Sequence, residues 1–247
     1  MSEKQPLLIL GANSKVGKEI AIEFSKRDHD IILALRKSKR LENFSYEINK
    51  KYKNNIICKE FDILNKNIFE EFLKNLPFSP SIVISIIGLM NSNDKDVNYT
   101  TEQIINTNYL NQIIFFELVS RYLISKNKDT TIIALGSVAG ERGRKKNYIY
   151  GSSKAGLHCY LSGLRQKYYR SKLNVVTIIP GYIDSQMLEE DIKKKSMSFL
   201  VSDPKKVAQI IYKAYKTKKS VVYTPFWRLI MFLIKIIPEY LFKKLSF

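Results

Sequence analysis

The sequence predicts a single-domain α/β fold in which a doubly wound parallel sheet carries helices on both faces. Apolar runs of strand length alternate with amphipathic stretches of helix length, and this βαβ alternation is typical of parallel sheets. The apolar runs have no polar alternate face, as expected where helices cover both sides of a sheet. The chain has 247 residues and no evident internal linker, which fits one such domain.

Seven apolar runs predict the strands. They cover residues 7–10, 31–35, 55–58, 82–87, 131–135, 175–179 and 221–223. The first run is too short for a secretory signal, so we interpret it as a buried strand. Residues 1–224 are assigned to the main Rossmann-type domain, and residues 225–247 to an apolar, basic C-terminal tail of the same domain.

The composition is strongly basic, since 41 Lys and Arg residues against 23 Asp and Glu residues give a net charge of +18. This charge is compatible with nucleic acid, an anionic membrane or a phosphorylated substrate, but an AT-biased genome would also enrich lysine. No helix-turn-helix pattern or basic platform with aromatic residues stands out, so we expect no nucleic-acid partner. Cys58 and Cys159 are far apart, and His29 and His158 have no ligand spacing, so we expect no disulfide framework and no metal. We expect His158 to serve helix packing.

A glycine-containing turn follows the first predicted strand and leads into a helical pattern. Free backbone N–H groups and the helix dipole at such a junction attract a pyrophosphate, so the turn predicts a dinucleotide site. An ordinary βα turn is the alternative. The candidate cofactor-binding residues of this turn are Gly11, Asn13, Ser14, Lys15, Val16 and Gly17.

Arg36 follows the second predicted strand, at the position where cofactor choice is usually read. An acidic residue there binds the ribose hydroxyls of NAD, whereas arginine pairs with the 2′-phosphate of NADP. The segment reads Ala34-Leu35-Arg36-Lys37 and contains no acid, which favours NADP(H) over NAD(H). A solvated surface charge is the other interpretation of Arg36.

Tyr150 and Lys154 form a candidate proton-donating pair. Reduction of a ketone requires an acid that protonates the developing alkoxide, and tyrosine needs a nearby cation to lower its pKa from ~10. Two residues spaced by four on a helix share one face. The spacing alone is weak evidence, because it recurs along the chain. Tyr-xxx-Lys pairs begin at Tyr46, Tyr122, Tyr150, Tyr168, Tyr212, Tyr215 and Tyr240.

Short-chain dehydrogenases, which such a pair resembles, place a hydrogen-bonding serine thirteen residues before the tyrosine, and only Tyr150 and Tyr215 have one. Ser202, before Tyr215, has the context of a helix N-cap next to a proline. Ser137 follows a predicted strand and leads into a turn of small residues. With this serine, the chain resembles the short-chain dehydrogenases from position 7 to position 223 in the order of motifs. The resemblance implies an NAD(P)H-dependent enzyme that reduces a carbonyl to an alcohol.

The resemblance also implies roles for individual residues. Asn108 matches the family's helix asparagine, which holds a water in a proton relay to the lysine. The implied catalytic residues are Asn108, Ser137, Tyr150 and Lys154. The further implied cofactor-binding residues are Asp62, Gly88, Tyr150, Lys154, Pro180, Gly181, Ile183 and Ser185. The chain departs from the family at Lys15, where the turn usually has glycine, and near Gly88, where asparagines are common.

Several segments are similar to one group within the family, the decaprenylphosphoryl-2-keto-ribose reductases. They are residues 88–90, 139–142, 147–157 and 223–245. This resemblance implies that the substrate is a keto-sugar on a polyprenyl phosphate and that a separate partner oxidase makes it. The implied substrate contacts are Ser137, Arg142, Arg144 and Tyr150. The two arginines belong to a basic loop that suits a lipid phosphate.

Two other functions stay open. A reductase of a hydrophobic ketone, such as a 3-ketoacyl chain or a steroid, would use the same catalytic residues. Lys15 and the missing asparagines near Gly88 suggest a dinucleotide-binding regulator without catalysis. The intact Ser137, Tyr150 and Lys154 argue against such a regulator.

The C-terminal tail is apolar but interrupted by charges, and its apolar stretch is shorter than the ~20 residues that span a bilayer. With Trp227, Arg228 and Lys235 among aliphatic residues, it suits the interface of an anionic leaflet. Packing on the core or on another subunit is the alternative. We expect a cytoplasmic homo-oligomer, peripheral at the inner face of the membrane if the tail docks there.

Overall fold

The computed structural model describes residues 5–91, 98–185 and 198–245. The strands are β1 (Leu7–Leu10), β2 (Ile31–Leu35), β3 (Ile56–Glu60), β4 (Ile82–Ser85), β5 (Thr130–Leu135), β6 (Leu173–Ile179), β7 (Tyr182–Ile183), β8 (Val201–Ser202) and β9 (Val221–Tyr223). Seven of them form one parallel sheet of order β3-β2-β1-β4-β5-β6-β9, while β7 pairs with β8. The predicted α/β fold with a parallel sheet is confirmed.

The sheet is wound in both directions from β1. The chain moves outward to β2 and β3, then returns to β4 on the other side of β1 and continues to β5, β6 and β9. Leu10 at the end of β1 pairs with Ala34 on one side and with Ser85 on the other. Where the strand order reverses, the loops diverge and leave a crevice at the carboxyl edge of the sheet, which is where such folds bind ligands.

Helices cover both faces of the sheet. They are α1 (Lys15–Ser25), α2 (Glu42–Tyr52), α3 (Phe69–Lys74), α4 (Thr101–Ile105), α5 (Asn111–Ser125), α6 (Tyr148–Lys167), α7 (Pro204–Lys216), α8 (Trp227–Ile236) and α9 (Glu239–Phe242). A π-helical turn, Asn106–Leu110, joins α4 to α5. Short 3-10 turns occur at Ser38–Leu41, Lys66–Ile68, Val138–Gly140 and Ser198–Leu200.

Alternate residues of each central strand point into two separate cores. In β1, Leu7 and Ile9 enter the core that includes α1 and α7, whereas Leu8 and Leu10 enter the core that includes α5 and α6. All four side chains are buried. Burial on both faces explains why these strands are apolar at every position.

The apolar runs predict the strand ends to within two residues. The largest difference in the middle of the sheet concerns the fourth run, which extends to Ile87, whereas β4 ends at Ser85. The neighbouring β1 turns away after Leu10. Ile86 and Ile87 therefore leave the strand and line the crevice.

The described part of the C-terminal tail is helical, and one of its faces packs on the core. In α8, Trp227 and Met231 are buried against Val138 and Ile179. The indole N–H of Trp227 donates to the carbonyl oxygen of Leu200 at 3.1 Å. Among the described residues, we find no helix with the length and apolarity to cross a bilayer.

Candidate active site

A cleft opens at the carboxyl edge of the sheet, beside the ends of β1, β4, β5 and β6. The predicted site residues that line it are Ser14, Val16, Gly88, Ser137, Arg144, Tyr150, Lys154, Pro180, Gly181, Ile183 and Ser185. Other lining residues were not predicted: Ile86, Ile87, Met90, Leu135, Gly136, Val138, Ala139, Asn147 and Tyr182. Most of these are apolar neighbours of motif residues, and no chemical signal in the sequence distinguishes them from core residues.

Ser137 begins the turn that follows β5. Its backbone is extended, and its Oγ accepts a hydrogen bond from the amide of Ala139 at 3.1 Å. The next amide, that of Val138, donates to the carbonyl oxygen of Pro180 at 3.0 Å. The serine hydroxyl also shares a hydrogen bond with the phenol of Tyr150. The turn therefore holds the serine against the tyrosine at the cleft.

Tyr150 and Lys154 lie one turn apart on α6, as their spacing predicts. Lys154 is buried, and its Nζ lies 5.9 Å from the centre of the Tyr150 ring. The same Nζ donates to the carbonyl oxygen of Ile87 at 3.2 Å and to that of Leu135 at 3.0 Å. The two side chains share one wall of the cleft, with the ammonium group bound at the ends of β4 and β5.

Burial shifts the pKa values of both groups. It raises the pKa of Tyr150, although the hydrogen bond with Ser137 and the charge of Arg144 act in the opposite direction. Burial also lowers the pKa of Lys154 to about 8. Burial outweighs the groups that act to lower the pKa of Tyr150, and the lowering expected from Lys154 stays a prediction.

Asn108 lies in the π-helical turn and is fully buried. Its side-chain amide pairs with the backbone of Leu89, since Oδ1 accepts from the Leu89 amide and Nδ2 donates to the Leu89 carbonyl, both at 2.7 Å. Nδ2 also donates to Ser153 at 3.2 Å, and the Asn108 carbonyl accepts from Gln112 at 3.0 Å. Asn108 therefore fixes the segment after β4, and its part in a water relay stays a prediction.

The glycine turn after β1 has the geometry of an anion site. Ser14 caps α1 by accepting a hydrogen bond from the Gly17 amide at 3.0 Å, and the first turn of α1 contains no acidic residue. Gly11 has a φ of +83°, which side chains disfavour. A Cβ at Gly17 would lie 2.6 Å from the carbonyl oxygen of Ala12. Glycine is therefore required at both positions, and the N-terminus of α1 borders the cleft.

Further predicted cofactor residues lie around the rim of this turn. Asn13 and Lys15 are exposed, and Lys15 Nζ lies 3.3 Å from Asp184 Oδ2, which joins the turn after β1 to the segment after β7. Arg36 is exposed directly after β2. Asp62 follows β3, and its Oδ1 accepts from a backbone amide two residues on at 3.0 Å. A helix N-terminus with Lys15 and Arg36 nearby fits an anionic dinucleotide.

Arg142 is not among the residues that line the cleft, and its contact with the substrate stays a prediction. Its Nη1 donates to the carbonyl oxygens of Ile234 and Ile237, both at 2.6 Å, and its Nη2 pairs with Glu239 at 3.0 Å. The carbonyl oxygen of Ile234 also accepts from the amide of Ile237 at 3.3 Å, so the guanidinium group is its second donor. Ile237 follows the last residue of α8, and Arg142 donates to its carbonyl oxygen as well. Arg142 therefore anchors the end of α8.

Arg144 lies beside the candidate catalytic residues, as predicted. It lines the same cleft as Tyr150, and its positive charge acts to lower the pKa of that phenol. Of the two arginines assigned to substrate binding, Arg144 alone is placed to meet an anionic group in the cleft.

Glu141 and His158 are not among the residues that line the cleft, but they adjoin Ser137, although sequence reasoning expects only helix packing of His158. His158 Nε2 accepts a hydrogen bond from the Ser137 amide at 3.2 Å, and its Nδ1 lies 3.6 Å from Glu141 Oε1. Glu141 Oε2 pairs with Lys235 Nζ at 2.9 Å. The available signal was the position of His158 one helical turn after Lys154, which predicts a shared helix face.

Comparison with known proteins defines the class of this chain. The model of the short chain dehydrogenase family matches residues 5–196. The chain belongs to this family, and it is therefore an NAD(P)-dependent oxidoreductase. An NADP-dependent 3-hydroxy acid dehydrogenase of Schizosaccharomyces pombe is 26% identical over 230 residues, which cover 87% of this chain and 88% of the relative. A ketoacyl reductase of Nostoc is 25% identical over 225 residues, which cover 87% and 77%.

Solved structures agree with the fold. A short-chain dehydrogenase from Sphingobium yanoikuyae in complex with NADPH has a TM-score of 0.78, with 95% of this chain and 97% of that chain covered. The two sequences are 19% identical. At this identity the likeness concerns the fold alone, and it supports the single Rossmann-like domain described above.

Proposed function

We propose that this enzyme uses NADP(H) to reduce a carbonyl group to an alcohol, with Tyr150 as the proton donor. The observation that carries this proposal is the joint position of Ser137, Tyr150 and Lys154 in one cleft beside a dinucleotide-type turn. Burial raises the pKa of Tyr150, so the phenol is protonated at neutral pH. A protonated phenol is the form that reduction requires.

The polar groups have separate parts in the reaction. Ser137 donates a hydrogen bond to the carbonyl oxygen, and Tyr150 transfers its phenolic proton to the same oxygen as negative charge develops there. NADPH, when bound, supplies the hydride to the carbonyl carbon. Lys154 holds the ribose of the cofactor, and its charge stabilises the phenolate that remains. For this it leaves the carbonyl groups that it binds in the structure.

Replacement of Tyr150 by phenylalanine tests the reaction. Tyr150→Phe keeps the ring but has no proton to donate, so kcat should fall by ~10²–10⁴-fold, while the Kd for NADPH stays near that of the wild type. Tyr148→Phe is the control, because Tyr148 lies on the same helix and is 64% exposed. NADPH oxidation is followed with a polyprenyl-phosphate keto-sugar, a 3-ketoacyl thioester and a ketosteroid. If Tyr150→Phe turns over as fast as the wild type, a group other than Tyr150 donates the proton.

For the cofactor, we propose a preference for NADP(H) over NAD(H). Arg36 follows β2 where NAD enzymes carry an acid, and it can pair with a 2′-phosphate. The fission yeast relative is NADP-dependent by name, and the Sphingobium relative binds NADPH. Arg36→Asp should therefore lower the ratio of NADPH to NADH affinity, measured by cofactor fluorescence. Equal affinity of the wild type for NADH and NADPH contradicts the preference.

For the substrate, we propose a keto-sugar on a polyprenyl phosphate, supplied by a partner oxidase. Arg144 supports this, because it offers a cation to a phosphate beside Tyr150. The second candidate is a hydrophobic ketone, which the apolar lining by Met90, Val138 and Ile183 favours. Arg144→Gln should raise the KM for the phosphate-bearing keto-sugar and leave that for a ketosteroid unchanged. An unchanged KM for both substrates would contradict the proposal that Arg144 binds a phosphate.

The third candidate function, a dinucleotide-binding regulator without catalysis, is not favoured, because Ser137, Tyr150 and Lys154 all line one cleft.

We also propose that the outer face of α8 docks on an anionic membrane surface. Trp227 and Met231 form the buried face of this helix. The outer face is apolar as well, and its residues are each more than half exposed: Leu229, Phe232, Leu233 and Ile236. Four exposed apolar side chains on one side of a short helix suit the boundary between lipid headgroups and acyl chains.

The charges around the outer face of α8 favour lipid over a second copy of this chain. Arg228 lies on the flank of α8, and Lys243 and Lys244 follow α9, all of them exposed. A second copy would bring the same cations against one another. An anionic leaflet instead complements them and attracts a chain of net charge +18.

Flotation with vesicles tests this docking. Wild-type protein should float with vesicles that contain phosphatidylglycerol, and less with pure phosphatidylcholine. Phe232→Ser with Ile236→Ser should reduce flotation, whereas Tyr46→Ser with Tyr169→Ser, exposed sites outside the tail, should not. If the first pair instead dissociates an oligomer in light scattering and flotation is unchanged, the outer face of α8 binds a second copy. Light scattering of the wild-type protein also tests the predicted homo-oligomer.

A further inference from the structure

The amide of Ser137 is held by a side chain rather than by a strand. The amides before and after it donate to backbone carbonyls on the β6 side, at 2.7 and 3.0 Å. Successive amides of a strand point in opposite directions, so the Ser137 amide faces the β4 side. There the ladder ends with the pair of Ser85 and Ala134. The acceptor is instead the Nε2 atom of His158, at 3.2 Å.

Gly136 makes room for the imidazole ring, because a Cβ there would overlap His158 Nε2. Gly140 lets the turn approach α6, because a Cβ there would lie 2.8 Å from the backbone of Lys154 and Ala155 and 3.0 Å from His158 Cε1. His158 lies one helical turn after Lys154, so one face of α6 directs both the ammonium group and the imidazole to the end of β5. The space between α6 and the turn after β5 therefore accommodates an imidazole ring, with one ring nitrogen next to the Ser137 amide.

The contacts of His158 specify its tautomer. Because Nε2 accepts a hydrogen bond, it carries no hydrogen, and the neutral ring has its proton on Nδ1. Nδ1 lies 3.6 Å from Glu141 Oε1. His158 and then Lys235 lower the pKa of Glu141 to about 2 against the effect of burial, so this group is a carboxylate at neutral pH. A carboxylate next to Nδ1 favours the tautomer with the proton on that side.

We propose that His158, oriented by Glu141, is a positioning residue that holds the Ser137 amide and thereby places the serine hydroxyl for the substrate carbonyl. The inference rests on the proposed carbonyl reduction. Because the serine hydroxyl also bonds Tyr150, a displaced serine backbone would disturb both groups that meet the carbonyl oxygen.

Two substitutions separate this positioning role from simple packing. His158→Gln keeps a side-chain oxygen acceptor at about the reach of Nε2, whereas His158→Phe keeps the ring and loses the acceptor. With NADPH and phenanthrenequinone, we expect kcat to fall at least ~10-fold for His158→Phe and to stay within about threefold of wild type for His158→Gln, with the Kd for NADPH unchanged in both. Cys159→Ser, an exposed neighbour on α6, is the control.

A packing role predicts the reverse order, with His158→Phe close to wild type and His158→Gln impaired. That result would overturn the proposal. Thermal unfolding of each variant shows whether a loss of turnover reflects a loss of folding.

The tautomer of His158 in the wild-type protein gives a readout that does not depend on turnover. The chain has two histidines, so the ¹⁵N NMR spectrum of histidine-labelled protein contains few signals, and His158→Gln identifies those of His158. We expect a protonated Nδ1 and an unprotonated Nε2. A protonated Nε2 would overturn the positioning role even if turnover is normal. Wild-type protein that reduces no ketone would instead overturn the proposed function.

Discussion

Lys154 carries an ammonium group in a position that is 2% exposed. Burial lowers its pKa to about 8, from the usual 10.5. Below the lower value both the folded and the unfolded chain hold the proton, so the cost of burying the charge is fully present. Between the two values only the unfolded chain is protonated. Stability therefore rises with pH across this window, and above it the cost is absent.

Lys154→Met should make this cost visible. As pH rises from about 8 to 10.5, the wild type should gain unfolding free energy relative to the variant, by up to about 3 kcal/mol. Urea unfolding of both proteins at neutral pH and near the upper value measures the difference. NADPH oxidation by the variant should be lost at either pH. A difference in stability that does not change with pH would mean that the pKa of Lys154 is the same in the folded and the unfolded chain, so that burial does not shift it.

At the residue scale, the sequence could predict which candidate residues meet in one cleft where a short spacing along the chain relates them. Ser137, Tyr150 and Lys154 could be found because a spacing in the chain specifies which of them share a helix face. Arg142 could not be placed, because the carbonyl groups that it binds belong to α8, more than ninety residues later. The pKa of Tyr150 also depends on burial, which spacing does not encode.

The anchoring of α8 depends on one guanidinium group. Arg142→Met should remove the side-chain donor from the carbonyl groups of Ile234 and Ile237, and it should lower the free energy of unfolding by about 1–3 kcal/mol. Lys145→Met, an exposed position on the same loop, should change it by less than about 0.5 kcal/mol. Urea unfolding compares the two variants. Equal stability would show that water replaces the guanidinium group at no cost.

At the element scale, the strands were predictable and the position of the tail was not. The central strands are buried on both faces, and such burial leaves a continuous apolar run that few other elements show. In α8 both faces are apolar, so the pattern does not tell which of Trp227 and Phe232 faces the core. The π-helical turn that holds Asn108 also left no signal, because its geometry depends on the pairing with Leu89.

At the scale of the whole molecule, the charge of +18 should affect association with anions. NADPH is an anion, and a cationic surface accelerates its encounter with the cleft. We expect kcat/KM for NADPH to fall several-fold as KCl rises to about 0.5 M, with little change in kcat. Steady-state kinetics over a salt series measures both constants. If kcat/KM for NADPH does not change with salt concentration, the net charge does not serve cofactor binding, and an AT-biased genome explains the excess of lysine.

The two edges of the sheet are β3 and β9. The edge strand β9 has three residues, and β3 ends with Lys59 and Glu60. A short edge and a charged edge are poor templates for backbone pairing with another molecule. If many copies gather on a lipid surface, this geometry opposes their joining strand to strand into fibrils, and the enzyme can accumulate locally without aggregating.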